Sequence, residues 1–234
     1  MSINEIKNII EYGAVCSLLL IEGLSQMRNW KNWQIILFVT MCVCLNVGGK
    51  YLTVLLELPL WADSFGTVLS AYAGGPICGA IVGVTGNLAY CLLNRLSAAY
   101  SLTSIAIGVI IGIGARKHWF DRFYGFMKAA SLAVVTALVV SVPINLIFAD
   151  GYTGNKWGDG VIYYLQDKEW PFFICCVLGQ LALEFVDKVV TVAAVYLVIL
   201  AKRLRNEGDH IIIYCIQYII AKLILRSLTK HANN

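Results

Sequence analysis

The sequence predicts an all-α integral membrane protein, a bundle of six transmembrane helices with both termini cytoplasmic and an extra amphipathic segment at each end. Three observations predict it. Of 234 residues, 59% are hydrophobic and 14% charged, against about 45–50% and about 25% in soluble domains. Apolar stretches of spanning length recur along the chain. Lysines and arginines fall unevenly between the connections. A soluble domain could not bury so much apolar surface, or cover itself with so few charges. That excludes a cytosolic globular enzyme, a disordered chain and a secreted disulfide scaffold. The net charge of +4 requires no nucleic-acid partner.

The expected spans lie at about 34–48, 61–74, 76–93, 101–115, 126–148 and 171–201, within a membrane domain 34–203. The second and third are separated only by Gly74-Gly75-Pro76, and proline suits the first position of a helix. This predicts a tight hairpin rather than one long span. The second span is short and contains Asp63 and Ser64, so it must sit against protein rather than lipid. Orientation follows from the basic residues. With the N-terminus inside, Arg28, Lys31, Arg116, Lys117, Arg122, Lys128, Lys202, Arg203 and Arg205 are cytoplasmic. Lys50, Arg95, Lys156 and Lys168 are then outside, nine against four, as the positive-inside rule requires. The flanks, 1–33 and 204–234, contain apolar stretches at 3–27 and 210–228 that lie along the interface; the second is also long enough to be a seventh span.

The eight cysteines (Cys16, Cys42, Cys44, Cys78, Cys91, Cys175, Cys176, Cys215) lie almost wholly in apolar runs, with no CxxC pair and no Cys/His cluster. They read as small core side chains. With Glu5 and Glu11, the N-terminus is a poor start for a secretory signal. No HExxH, GxSxG or P-loop sequence occurs, and His118, His210 and His231 fall in cytoplasmic stretches. Neither a metal nor a cofactor is expected, and ATP would have to be hydrolysed elsewhere.

Gly75, Gly79 and Gly83, followed by Gly108 and Gly112, repeat at i, i+4, the spacing that lets membrane helices approach closely. That face serves either packing within the chain or docking of another protein. Polar residues inside spans carry more information, because each charge near the bilayer centre costs about 2.5–3.5 kcal/mol on insertion scales. Gln180, Glu184, Asp187 and Lys188 share one face of the last span. They form a structural ion-pair cluster, with Lys188 answering Glu184, or Glu184 and Lys188 face a ligand. The connection before the second span, through Trp61 and Asp63, is too apolar for a solvated loop and too broken for a span. It should fold back over the bundle as a lid. Trp61 is an interface anchor or a ligand contact, and Asp63 a helix cap or a ligand contact. The outer loop 149–170 carries Asn155, Trp157 and Asp159 among glycines, and is either simply solvated or shaped to present side chains. Asn87 could complete a polar floor with Asn94, Arg95 and Asn145.

The run 46–94 resembles the substrate-binding S components of energy-coupling factor (ECF) vitamin transporters. The resemblance is carried by Leu58-Pro59-Leu60-Trp61-Ala62-Asp63-Ser64-Phe65-Gly66-Thr67, then Gly74-Gly75-Pro76 and a small-residue helix ending Gly86-Asn87. The order of features is similar over about 34–203: a hydrophobic strip after the first helix, a short second helix, a Gly-Pro turn and a glycine-rich third. The resemblance implies a multi-pass protein of a bacterial cell membrane that captures a water-soluble vitamin or related micronutrient outside the cell. Its partners would be a coupling transmembrane protein and two ABC ATPases, and it would not itself be an enzyme. The implied binding residues include Trp61, Asp63, Asn155, Trp157, Asp159 and Glu184. The family often docks through Ala-xxx-Ala on the first helix; Thr40, Cys44 and Gly48 occupy that spacing here without the alanines. The alternative is a membrane sensor or regulatory domain of the same architecture, signalling through a partner by way of 202–228. An enzyme ranks third, since no nucleophile and base are paired by spacing. The excess of acidic candidates points to a ligand with a positive or hydrogen-donating group.

Overall fold

The computed structural model describes residues 30–206, whose regular structure is entirely helical. The expected interfacial segments at 3–27 and 210–228, and both termini, lie outside the described residues. The helices are α1 (Asn32–Leu55), α2 (Phe65–Tyr90), α3 (Ser101–Arg116), α4 (Phe123–Phe148), α5 (Lys156–Gln166) and α6 (Phe172–Asn206). Short 3₁₀ turns at Arg95–Ala98 and Trp119–Asp121 join α2 to α3 and α3 to α4. Two compact units divide the chain, Met1–Val195 and Tyr196–Asn234; the fold and cavity described below belong to the first.

Four stretches are long and apolar enough to cross a membrane: Asn32–Leu55, Phe65–Tyr90, Arg95–Arg116 and Phe123–Phe148. This is the composition of a membrane protein. The first unit is correspondingly apolar outside and holds a set of polar side chains within its apolar core. Leu37, Phe123, Val139, Ile147 and Phe173 are exposed, whereas Asn46, Thr67, Ser70, Asn145, Gln180, Glu184, Asp187 and Lys188 are buried. Lipid accepts the first set, and the second must find partners inside. α6 falls outside the four because Glu184, Asp187 and Lys188, then Lys202, Arg203 and Arg205, interrupt its apolar sequence.

The expected hairpin at Gly74-Gly75-Pro76 is present inside α2. Gly75 leaves helical geometry, with φ 83° and ψ −172°, a conformation open to glycine but strained for other residues. A Cβ added at Gly79 would lie 2.5 Å from the Cβ of Ala71, and one at Gly83 would lie 3.1 Å from the Thr67 hydroxyl. Along a straight helix those pairs would be about 12 Å and about 24 Å apart. The arms 65–74 and 76–90 therefore run back against each other.

The small-residue face serves this internal packing. A Cβ on Gly108 would meet the backbone of Gly79 and Ala80 at 2.5 Å, and one on Gly112 would meet Pro76 at 2.3 Å. The second arm of α2 and α3 thus touch backbone to backbone. On its other side this arm packs against α1 through Val39, Cys42, Val43, Val47, Cys78, Val82 and Tyr90.

Two expectations change. The first span does not end at Gly48-Gly49: α1 continues to Leu55. Gly49 marks a close approach rather than a break, since a Cβ there would meet the Ala62 carbonyl oxygen at 2.3 Å. The extra turns carry Lys50 into the interior, so it is no external topology signal. The 149–170 stretch is not simply a loop either, because it contains α5. Asn155 caps that helix by accepting from the Trp157 amide at 3.0 Å, and Asp159 supplies acid in its first turn, where the helix dipole favours it.

Candidate functional site

Residues 56–64, called the roof below, connect α1 to α2, and Trp61, Asp63 and Ser64 among them line a cavity of about 510 Å³, within the range of small-molecule sites. Its lining comes from many elements: Lys50 of α1, Trp61 and Asp63 of the roof, Tyr90 of α2, and Ser97 and Tyr100 of the turn after it. α3 adds Thr103 and Ser104, α4 adds Ser141, and α6 adds Gln180, Glu184 and Lys188.

Two lysines organise the polar side. Lys50 Nζ donates to Asp63 Oδ2 at 3.1 Å and to Ser97 Oγ at 3.1 Å. It also lies 5.6, 5.1 and 5.7 Å from the ring centres of Trp61, Tyr90 and Tyr100, an aromatic surround that favours a cation. Lys188 Nζ donates to the Asp187 carboxylate and to Ser64 Oγ at 3.0 Å, with Glu184 Oε2 at 3.2 Å and Asp63 Oδ1 at 3.8 Å. Asp63 sits in the connection between spans. Its burial opposes ionisation, but the two lysine charges, the Lys50 hydrogen bond and the Ser64 hydroxyl outweigh that and lower its pKa to about 2.

The remaining carboxylates have different tasks. Asp187 Oδ1 accepts from the backbone amides of Trp61 at 3.2 Å and Ala62 at 2.7 Å, tying the roof to α6. Glu184 ends a directed chain. Tyr100 donates its hydroxyl to Asn145 Oδ1, Asn145 Nδ2 donates to Gln180 Oε1 at 2.8 Å, and Gln180 Nε2 donates to Glu184 Oε1 at 2.8 Å. The second oxygen, Glu184 Oε2, is buried without a hydrogen-bond partner. Its partner is the Lys188 ammonium, 3.2 Å away in an ion pair.

The expected site residues divide accordingly. Trp61, Asp63, Glu184 and Lys188 line the cavity. Asp63 does not cap α2: the Gly66 amide donates instead to Asn46 Oδ1 of α1 at 2.7 Å. Asn155 and Trp157 latch the roof from outside. Asn155 Nδ2 donates to the Leu58 carbonyl at 3.0 Å, Trp157 Nε1 donates to the Glu57 carbonyl at 2.8 Å, and Lys156 pairs with the Glu57 carboxylate. Asp159 Oδ1 accepts from Thr153 N at 2.6 Å and Thr153 Oγ1 at 2.7 Å, shaping the turn before α5. Asn87 staples α2 to α3, donating to Ser104 Oγ at 2.7 Å and accepting from Ser97 Oγ at 3.0 Å. Of the small residues on α1, Thr40 and Gly48 are half-buried and Cys44 is exposed, and a Cβ at Gly48 would meet nothing within 4 Å.

Sequence reasoning passed over Lys50, Tyr90 and Tyr100 as lining residues. A lysine immediately after a Gly-Gly pair resembles a loop cation, and only the approach of residue 62 to Gly49 reveals otherwise. Among the described residues, no group of three or more His, Cys, Asp or Glu side chains is placed to hold a metal ion. What the geometry offers is recognition: a partly open chamber with one charged side, set in an apolar helical body, its charges held in place by one another. No family model, no curated protein and no solved structure matches the chain.

Proposed function

We propose that the protein is the substrate-binding component of an ECF-type importer, which captures a water-soluble micronutrient from outside a bacterial cell and passes it to an ATP-driven coupling module. The reading rests above all on the roofed polar cavity inside an apolar helical body. An ordinary structural bundle gains nothing from burying four charged side chains, Lys50, Glu184, Asp187 and Lys188, around a hollow, because each costs several kcal/mol to desolvate. A binding protein must hold such groups ready, and a roof tied down by hydrogen bonds is a means of closing over a ligand.

In this reading the two arms of α2 each count as a span and α6 is the sixth, so both termini are cytoplasmic and the cavity opens outward. The chain carries no phosphate-binding loop, so the energy comes from two partner ATPases and a coupling membrane protein. The open strip of Thr40, Cys44 and Gly48 on α1 is the docking face. The test is purification of the full chain from its native membrane. ATPase subunits and a coupling protein should co-purify, and Cys44→Trp should remove them without unfolding the protein. A stable homodimer free of any ATPase overturns the importer and favours a sensor.

A further inference from the structure

We infer that the end of the bundle remote from the cavity is a binding surface for anionic phospholipid headgroups, centred on Arg116, Lys117 and Arg122 between α3 and α4. The inference stands whatever the cavity holds.

Placement comes first. The α3 residues that line the cavity, Thr103, Ser104 and Ile107, lie in its first half. Arg116, in its last turn, is about 14 Å beyond Ile107 along the helix. The Gly75-Pro76 turn of α2 lies at the same end, since a Cβ on Gly112 would meet Pro76 at 2.3 Å. The rings of Tyr72 and Phe120, 5.3 Å apart, join that turn to the α3–α4 connection. α1 begins there too. Asn46 lies against Gly86 and Lys50 beside Tyr90, so α1 runs parallel to the second arm of α2 and its first turn is close to the level of Pro76.

Charge comes second. From residue 64 to residue 148 the sequence contains one acid, Asp121, and it is bonded to His118 at 3.0 Å. Arg116, Lys117, Arg122 and Lys128 are all exposed, and among the described residues the first three form no ion pair. A topology signal requires only that such residues fall in a connection. These stand on a fixed frame. A Cβ on Gly114 would meet the Trp119 ring at 2.3 Å, and one on Gly125 would meet the Trp119 carbonyl oxygen at 2.0 Å. Phe120 is buried, and Lys128 Nζ sits 4.7 Å from the centre of the Trp119 ring. Cations held in place without a carboxylate of their own find their complement in a phosphodiester.

The aromatic residues are an independent sign. Trp30 and Trp33 at the start of α1, and Tyr124 at the start of α4, are exposed at this same end. Rings with one polar tip collect where hydrocarbon gives way to headgroups. Phe123 and Met127, between Arg122 and Lys128 in the sequence, are exposed as well. Apolar side chains interleaved with basic ones suit the headgroup–acyl boundary of a lipid better than the face of an acidic protein.

The test uses the delipidated full chain in detergent and two lipids with the same acyl chains, dioleoylphosphatidylglycerol (anionic) and dioleoylphosphatidylcholine (zwitterionic). Native mass spectrometry reads the dissociation constant of each. A basic residue beside an anionic lipid surface strengthens attachment about fivefold. Phosphatidylglycerol should therefore bind at least about tenfold more tightly, and its advantage should shrink as ammonium acetate rises from about 50 to about 200 mM. Arg116→Gln, Lys117→Gln and Arg122→Gln combined should abolish the preference. Lys117→Gln alone should lower it about two- to fivefold, whereas Lys168→Gln, at an exposed lysine between α5 and α6, should leave it unchanged. Equal binding of the two lipids, a preference that survives the triple change, or an equal loss in Lys168→Gln overturns the inference. Displacement of the bound lipid by poly-glutamate at matched charge overturns it as well, and assigns the surface to an acidic protein. The wild-type comparison of the two lipids stands even if the triple variant fails to fold.

Discussion

The Asp187 carboxylate accepts a hydrogen bond from the Ala62 backbone amide at 2.7 Å, joining residues 125 positions apart. The same oxygen accepts from Trp61 N, and the other engages Lys188. One buried side chain thus ties the roof to α6 and neutralises a lysine of the cavity lining.

Asp187→Ala should therefore be among the most damaging single changes in the protein. It strands Lys188 beside fewer counter-charges and frees two roof amides; breaking a buried pair in this way costs about 3–5 kcal/mol. Denaturant unfolding in detergent measures the loss, and a loss below about 1 kcal/mol would mean that the roof is held mainly by its outer latches.

Those latches act on motion rather than on the fold. Trp157→Phe keeps the ring and removes the Nε1 bond to the Glu57 carbonyl, a bond worth about 0.5–1.5 kcal/mol. Amide exchange across residues 56–62 should quicken about two- to tenfold, while exchange in α3 and α4 stays unchanged. Equal acceleration everywhere would point to global destabilisation instead.

Two glycines on facing elements make a matched comparison. An added Cβ at Gly66 would lie 1.8 Å from the Cys42 carbonyl oxygen, whereas one at Gly48 meets nothing within 4 Å. Gly66→Ala should push α1 away from α2 and cost upward of about 1–3 kcal/mol, the usual penalty of overpacking. Gly48→Ala should disturb no packing and stabilise the protein by about 0.5–1 kcal/mol, the preference of a helix interior for alanine over glycine. Thermal unfolding of the two variants in parallel checks both.

The pH dependence of the roof pair follows from the direction of the Asp63 shift. Its pKa falls from 3.8 to about 2 on folding. Its contribution to stability is thus fully present above the unfolded value and is lost as pH drops from 3.8 toward 2. The difference in melting temperature between wild type and Asp63→Asn should be flat from pH 5 to pH 8 and should shrink only below about pH 4. A difference that fades between pH 5 and pH 7 would show that Asp63 lacks the lysine contacts described.

Much of this was legible in local pattern. The turn at Gly75-Pro76, the i, i+4 spacing of Gly75, Gly79 and Gly83 and of Gly108 and Gly112, and the common face of Gln180, Glu184, Asp187 and Lys188 each depend on residues a few positions apart. Helical geometry alone brings such residues together, and lipid enforces the apolar surface around them. The site was legible only in part. Trp61, Asp63, Glu184 and Lys188 stood out because charge or indole inside an apolar run requires an explanation. Asn155 and Trp157 stood out equally, yet they grip the roof from its far side.

By itself, then, the amino-acid order determined that this chain is helical, apolar in the manner of membrane proteins, folded back at Gly75 and polar along one face of α6, since those properties are summed over neighbouring residues. Tertiary structure alone decided that Lys50 turns inward to Asp63 and Ser97, that Asp187 holds a roof amide 125 positions away, and that Tyr100, Asn145 and Gln180 line up behind Glu184. The physical reason is that a buried charge is satisfied by whichever partners the fold brings within about 3 Å, and no periodicity in the sequence encodes which they will be.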